Sequence, residues 1–421
     1  MCAGGDPDGP GSGSHGGSMM EAKLGAAGER RMVTGDFAAA WGALISRPEV
    51  IAAYPITPQT LIIEHLAEFL AAGQLDTEFI RVESEHSALA AVIAAEATGV
   101  RTYTATSSQG LALMHEPLFV APPMHLPILM TIVNRTVAAP LGIWAEHNDS
   151  MPQRDTGWIQ VYVEDAQEAL DMILQGYRLA EHPEVELPAM VCMDAFLVSH
   201  TIEPVDLPSQ DAADAFLPRY KPVHAYLDPD RPLVLGAASP PEYIQEVRWE
   251  TDRRMRRASE ILEEVDRAFA AGFGRTYGGA LETYRLEDAE IGLVTLGTVT
   301  STAREAVDRL REHGEKVGLV KLRFFRPFPA ERLREATEHL RAIGVYDRAV
   351  SFGVGGPTYI EVRNALYDSH RVPILGFLAG LGGRDVTRDD VLLMFRKLAT
   401  AATRARRSGG VVWIGTRGVS P

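Results

Sequence analysis

Apolar and polar positions alternate along this chain in two distinct periods, and the periods predict its elements. From Met32 onward, short continuous apolar runs are separated by stretches with helical spacing. A helix is expected over 35–45 and a strand over 50–53. An amphipathic helix over 60–72 carries Leu61, Ile62, Leu66, Phe69 and Leu70 on one face. Strands are expected at 79–82 and 101–106, with a helix over 83–96 between them. A fully apolar strand follows at 127–133 and another at 188–193. Strand, turn and helix repeated around continuous apolar strands predict an α/β fold whose parallel sheet is covered by helices on both faces.

The pattern breaks over 204–241, which is proline-rich and reads as a linker. A charged helix over 248–269 places Met255, Ala258, Leu262, Val265 and Phe269 at spacings of three and four, a stripe suited to packing across a domain or subunit joint. A second α/β unit begins near Ala289. It has strands at 291–296 and 317–322, a helix capped by Thr300 or Ser301 and ending near His313, and further strands at 349–352 and 374–377. Gly353-Val-Gly-Gly356 and Gly380-Leu-Gly-Gly-Arg-Asp385 read as tight turns. The resulting division is a disordered leader over 1–31 (with His15 inert), a first α/β domain over 32–228, a linker and long helix over 229–288, a second α/β domain over 289–400, and a C-terminal arm over 401–421.

Composition narrows the function. The 421 residues are 46% hydrophobic and 23% charged, an ordinary globular balance, and the net charge of −15 argues against nucleic-acid or anionic-membrane surfaces. Only Cys2 and Cys192 occur, which excludes a disulfide framework or a cysteine-held iron–sulfur or zinc cluster within this chain. That usage fits a reducing, cytoplasmic setting. No apolar run approaches the roughly 20 residues that span a bilayer. No Walker sequence is present, and Gly353-Val-Gly-Gly-Pro-Thr358 lacks the spacing of a dinucleotide fingerprint.

Candidate chemistry gathers at predicted strand ends. In Tyr54-Pro-Ile-Thr-Pro-Gln-Thr60 two prolines stiffen the turn that leaves the strand at 50–53, so Thr57 is held where α/β sheets present ligand-binding groups. Glu85 heads the alanine-rich run 88–97; a carboxylate there either serves a site or complements the helix dipole, and Glu83 should point elsewhere. Arg135 follows the strand at 127–133. Its guanidinium either holds a carboxylate bidentately or pairs with Glu146 or Asp149. Thr57 either donates to the same carboxylate or satisfies backbone groups. Trp144-Ala-Glu-His-Asn-Asp149 and Gln153-Arg-Asp-Thr-Gly-Trp158 read as an ordered functional loop, and His147 with Asp149 does not make a metal site.

These runs, with Val82-Glu-Ser-Glu-His-Ser-Ala88, Thr104-Ala-Thr-Ser-Ser-Gln-Gly-Leu111, Asn134-Arg135, Arg323-Phe-Phe-Arg-Pro-Phe-Pro329 and Gly380-Leu-Gly-Gly-Arg-Asp-Val-Thr387, resemble the α subunit of pyruvate:ferredoxin oxidoreductase, within the 2-oxoacid:ferredoxin oxidoreductase superfamily. The likeness covers about residues 32–400. It implies a thiamine-diphosphate-binding fold of the pyrimidine type followed by a transketolase C-terminal-type domain. By this resemblance Glu85 hydrogen-bonds N1′ of the aminopyrimidine and is catalytic, while Thr57 and Arg135 hold the 2-oxoacid carboxylate. A carboxylic acid at N1′ favours the imino tautomer, whose 4′-nitrogen takes the proton from thiazolium C2.

What the sequence lacks agrees with that reading. There is no Gly-Asp-Gly followed downstream by Asn-Asn, the family's signature for diphosphate and Mg2+, and there are no cluster cysteines. The resemblance therefore implies half an active site. A β subunit brings the diphosphate, Mg2+ and iron–sulfur clusters, with γ and δ subunits or domains besides. Coenzyme A and the 2-oxoacid are substrates, and electrons reach ferredoxin through the complex. The Tyr-Pro-Ile-Thr-Pro-Gln-Thr form favours pyruvate over 2-oxoglutarate, a branched-chain oxoacid, phenylglyoxylate or oxalate. A non-enzymatic scaffold is the remaining alternative, and intact Glu85, Thr57 and Arg135 weigh against it.

Overall fold

The structure, a computed structural model, describes residues 28–224, 226–403 and 409–418. The first unit runs β1 (Glu29–Thr34), α1 (Gly35–Ser46), β2 (Val50–Ala53), α2 (Thr60–Ala71), β3 (Glu78–Arg81), α3 (Glu85–Glu96), β4 (Thr102–Thr106), α4 (Ser108–Leu113), α5 (His115–Leu118), β5 (Leu129–Asn134), β6 (Ile159–Tyr162), α6 (Ala166–Ala180), β7 (Ala189–Asp194), β8 (Ile202–Leu207) and α7 (Gln210–Phe216). A 33-residue helix, α8 (Pro241–Phe273), leads to the second unit. That unit comprises β9 (Leu281–Tyr284), β10 (Ile291–Thr295), α9 (Val299–Glu312), β11 (Val317–Leu322), β12 (Phe324–Arg326), α10 (Ala330–Thr337), β13 (Ala342–Asp347), α11 (Pro357–Leu366), β14 (Ile374–Leu378), α12 (Arg388–Ala402) and β15 (Gly410–Trp413).

The seven-stranded sheet has the order β12-β6-β7-β5-β4-β2-β3, and all its pairs are parallel except β12 with β6. Its central strands β4, β5 and β7 are buried along their whole length, as strands covered on both faces must be. The chain leaves β2 toward β3 on one side and returns to β4 on the other. The crevice beyond the carboxyl ends of β2 and β4 is thus the topological switch point, the place where such sheets bind ligands. The six-stranded sheet has the order β15-β14-β13-β10-β11-β9, with only β9 antiparallel.

The two units are tied together. Directly after β11 in the second sheet, β12 joins the edge of the first, Phe324 pairing with Val161. Beside it, fully buried Glu168 on α6 accepts from Lys321 Nζ and Arg323 Nε, each at 2.7 Å. Burial alone would raise the carboxyl pKa; the two cations outweigh it and hold the group down at about 2.

Several expected elements differ from the structure. Residues 349–352 form no strand; the strand is β13, ending two residues earlier, and Ser351 meets Gly355 only in an isolated bridge. The 204–241 linker contains the end of β8, which pairs with β1, and all of α7. Neither Thr300 nor Ser301 caps α9; the N-cap is Thr298, whose hydroxyl binds Asp194. Strand β1 begins inside the stretch expected as leader, and β15 extends the second sheet from the expected C-terminal arm. Residues 1–27, including Cys2 and His15, lie outside the described residues.

Candidate active site

Four turns converge beyond the carboxyl ends of β2, β3, β4 and β5. The turn after β2 is fastened by Gln59, whose buried amide accepts from Ile56 N at 3.2 Å and donates to Ala105 O at 3.0 Å on β4. Thr57 is left exposed at its tip. Its carbonyl oxygen accepts from Arg135 Nη1 at 2.6 Å. Two residues named from sequence therefore meet directly, although the chain separates them by 78 positions.

Glu85 opens α3, with Ser84 as N-cap accepting from Ser87 N at 3.2 Å. Its side chain is 8% exposed, and its carboxylate has no hydrogen bond or ion pair among the described residues. Glu83 behaves as the expected control: it is exposed and binds only the Ser87 hydroxyl. Gly110 in α4 closes over Glu85. A Cβ at Gly110 would lie 2.7 Å from Glu85 Oε1 and 2.4 Å from Thr106 Oγ1, itself buried without a partner. The carboxylate oxygens are not sealed from solvent as Thr106 Oγ1 is, so Glu85 keeps an opening toward a ligand and needs a donor once one covers it. A ring nitrogen that shares or takes up a proton from the acid meets that need, so Glu85 fits the aminopyrimidine of a thiamine cofactor.

Arg135 is 6% exposed. Besides Thr57 O, its guanidinium donates to Gly142 O at 3.1 Å and to Gln109 Oε1 at 3.2 Å. The alternative of a side-chain salt bridge to Glu146 or Asp149 is not realised: Glu146 accepts from Gly382 N at 2.9 Å, and Asp149 takes only the backbone N–H of Arg135. Partial burial lowers the Arg135 pKa, with Asp149 opposing the shift. The guanidinium is thus held by neutral oxygens, with no anion on it.

Sequence reasoning missed the part played by Asp149. This carboxylate is 1% exposed. It accepts from Ser108 N at 3.0 Å and Arg135 N at 2.9 Å on one oxygen, and from Asn134 Nδ2 and Ser150 N, both at 2.8 Å, on the other. Burial pushes its pKa up, while the donors hold it down. It pins the turns after β4 and β5 to the 144–158 loop. That loop is fixed in turn by the second unit, where Asn148 Oδ1 accepts from Val350 N and Nδ2 donates to Val350 O, both at 2.9 Å. His147 donates to no metal-ligand cluster; it pairs with Asp194 at 2.5 Å. Among the described residues no group of three or more metal-ligating side chains occurs.

Residues 42–267 match the family model described as pyruvate flavodoxin/ferredoxin oxidoreductase, thiamine diphosphate-binding, and residues 289–391 match pyruvate:ferredoxin oxidoreductase core domain II. The chain belongs to the pyruvate:ferredoxin oxidoreductase family. Pyruvate synthase subunit PorA of Methanothermobacter thermautotrophicus is 47% identical over 92% of this chain and 98% of its own. The same subunit of Pyrococcus furiosus is 45% identical over the same shares. Ketoisovalerate oxidoreductase subunit VorA of Pyrococcus horikoshii is 44% identical over 91% of this chain and 97% of its own.

Two solved structures share the fold. A 2-oxoglutarate:ferredoxin oxidoreductase from Magnetococcus marinus aligns with a TM-score of 0.68 at 20% identity, over 87% of this chain and 65% of that one. A split-gene transketolase aligns at 0.51 and 12% identity, over 88% of this chain and all of the other. The fold is a thiamine-diphosphate-binding α/β domain followed by a transketolase C-terminal-type domain, as the sequence implied. Among the described residues no helix is long and apolar enough to cross a membrane.

Proposed function

We propose that this chain is the α subunit of a thiamine-diphosphate-dependent pyruvate:ferredoxin oxidoreductase and contributes half of its active site. The carrying observation is the unpartnered carboxylate of Glu85, a residue 8% exposed, beneath Gly110, while the adjacent Gln109 meets Arg135 and Arg135 meets Thr57. When bound, the cofactor supplies the electron sink for decarboxylating a 2-oxoacid. Glu85 holds a proton at the ring nitrogen it faces. Arg135 and the Thr57 hydroxyl hold the substrate carboxylate, and α3, α4 and the 144–158 loop keep water from the far side.

The rim supports a partner subunit as the other half. Leu141, 76% exposed, and Trp144, 51% exposed, lie beside the Arg135 turn, and Leu113 is exposed one turn beyond Gly110. Such apolar groups around a polar pocket suit cover by a second chain. We assign diphosphate and Mg2+ binding and the iron–sulfur clusters to a β subunit, ferredoxin contact to further subunits, coenzyme A to the assembled complex, and the whole to the cytoplasm.

The test is the purified complex assayed with pyruvate, coenzyme A, thiamine diphosphate and a one-electron acceptor. The isolated chain is expected to be inactive. Glu85→Gln should lower kcat by about 10²–10⁴-fold, and Glu85→Ala retaining full activity would refute the role. Because VorA relatives lie so near in identity, 2-oxoisovalerate is the substrate control. Faster turnover of it than of pyruvate would overturn the choice of oxoacid.

A further inference from the structure

The side chain of Gln109 belongs to neither end of the pocket as described so far, yet it spans them. It follows Ser108, whose φ of 50° places a non-glycine residue in the left-handed region. Such strain persists where surrounding structure over-determines it, and it recurs at ligand sites. Here Ser108 is over-determined: its N–H is held by Asp149 at 3.0 Å, and its hydroxyl lies against both Thr136 O and Gln109 Oε1. The turn so fixed sends Gln109 toward Arg135 and Gly110 over Glu85.

The orientation of the Gln109 amide follows from chemistry. A guanidinium has donors and no acceptor, so the group that meets Arg135 Nη2 at 3.2 Å must be the amide oxygen. The amide nitrogen then faces away from Arg135 and has no hydrogen-bond partner among the described residues. Gln109 is half-buried, and its unpartnered nitrogen is not sealed in the interior, so it stays open to a ligand. One end of the amide steadies the residue assigned to the substrate carboxylate. The other leaves its N–H donors free, on the same turn that carries Gly110 over Glu85.

We propose that Gln109 is a substrate-positioning residue: its amide oxygen sets the Arg135 guanidinium, and its amide N–H group donates to an oxygen of the bound 2-oxoacid. This rests on the functional reading above. It needs only the α-keto carboxylate common to all 2-oxoacids, not pyruvate in particular.

The experiment uses the assembled complex carrying Gln109→Met, which keeps length and removes both hydrogen-bonding groups, and Gln109→Glu, which sets a carboxylate against Arg135. Calorimetric binding of oxamate, an unreactive pyruvate analogue, is read beside steady-state kinetics. In Gln109→Met the oxamate Kd and pyruvate KM should both rise roughly tenfold, with kcat within about threefold. Gln109→Glu should weaken both further, because its carboxylate competes for the same guanidinium. Thermal midpoints of both variants should match the wild type, since the residue is not part of the core. Wild-type oxamate affinity in Gln109→Met overturns the proposal, as does a fall in kcat at constant KM and Kd. Should the wild-type complex prefer another 2-oxoacid, the choice of pyruvate fails, while the KM for that acid should still rise in both variants. A wild-type complex that turns over no 2-oxoacid overturns the functional reading and this one with it.

Discussion

Replacing Gly110 by alanine sets two well-known effects against each other, and the contacts decide which wins. Gly110 lies within α4 and its φ is outside the left-handed region. On propensity alone alanine would stabilise by about 0.5–1 kcal/mol. The added Cβ, however, would sit 2.4 Å from Thr106 Oγ1, 2.7 Å from Glu85 Oε1 and 2.8 Å from Glu85 Cγ. Ordinary contact begins near 3.4 Å, so those groups must retreat by about 0.6–1.0 Å in a region with little slack. Overpacking of this kind costs about 1–3 kcal/mol, more than the propensity gain. A displacement approaching 1 Å in a catalytic group costs about 10²-fold in rate. The expected result is therefore a lowered denaturation midpoint and a loss of about 10²-fold in kcat for pyruvate oxidation by the complex. Gly272→Ala is the control. Its Cβ would meet nothing within 4 Å near the end of α8, so stability should stay level or rise slightly. A Gly110→Ala complex with wild-type kcat and an unchanged or raised midpoint would refute the argument that this glycine keeps the space Glu85 occupies.

Two further outcomes follow from the buried carboxylates. Asp149→Asn turns one acceptor oxygen into a donor and strands two of its present donors, which should cost about 2–5 kcal/mol in denaturation experiments and raise the pyruvate KM through the loosened Arg135 turn; unchanged stability would show that the four bonds matter little. Glu168 has its pKa depressed to about 2, so its contribution is complete above the unfolded value near 4.3 and fades as pH falls from there through 2. Glu168→Gln should lose about 3–5 kcal/mol at pH 7, and its stability should fall less steeply than wild type between pH 4.5 and pH 2.5; parallel pH profiles would contradict the assignment.

How far the sequence could be read depended on where satisfaction of each residue came from. Strands such as β5 and β7 carry their evidence in their own apolar runs, and the prolines around Thr57 announce a turn without outside help. Helix α6 carried such a signal too, with Ala169, Leu170, Ile173, Leu174 and Tyr177 at helical spacing, and it went unread; only its buried acids lacked a local explanation. Helix α6 buries Glu168 and Asp171, and beside local bonds from Glu164 N and Gln167 their partners are Lys321, Arg323, Arg275 and Tyr277, at least 104 positions away. A helical face studded with acids does not look like a core face until those cations are in view. Strand β12 was hidden for the converse reason: its three residues belong to a sheet that the chain left long before. At the candidate site, position and type marked Glu85, Thr57 and Arg135 only as candidates, the family resemblance supplied their roles, and the meeting of the latter two is geometric fact. Gln109 and Asp149 act through backbone groups and a neighbour's side chain, which local spacing does not encode.

The strand shared across the two units has a practical corollary for anyone dissecting this polypeptide. Expression of a fragment ending before β9 would strip β12 from β6 and leave a row of unsatisfied amides and carbonyls beside Glu168, now deprived of its cations. Such a piece should self-associate, and a monodisperse, soluble 28–280 fragment would argue otherwise. The halves of this molecule behave as one folding commitment, so engineering that swaps either half between relatives must carry Lys321 through Arg326 with the first.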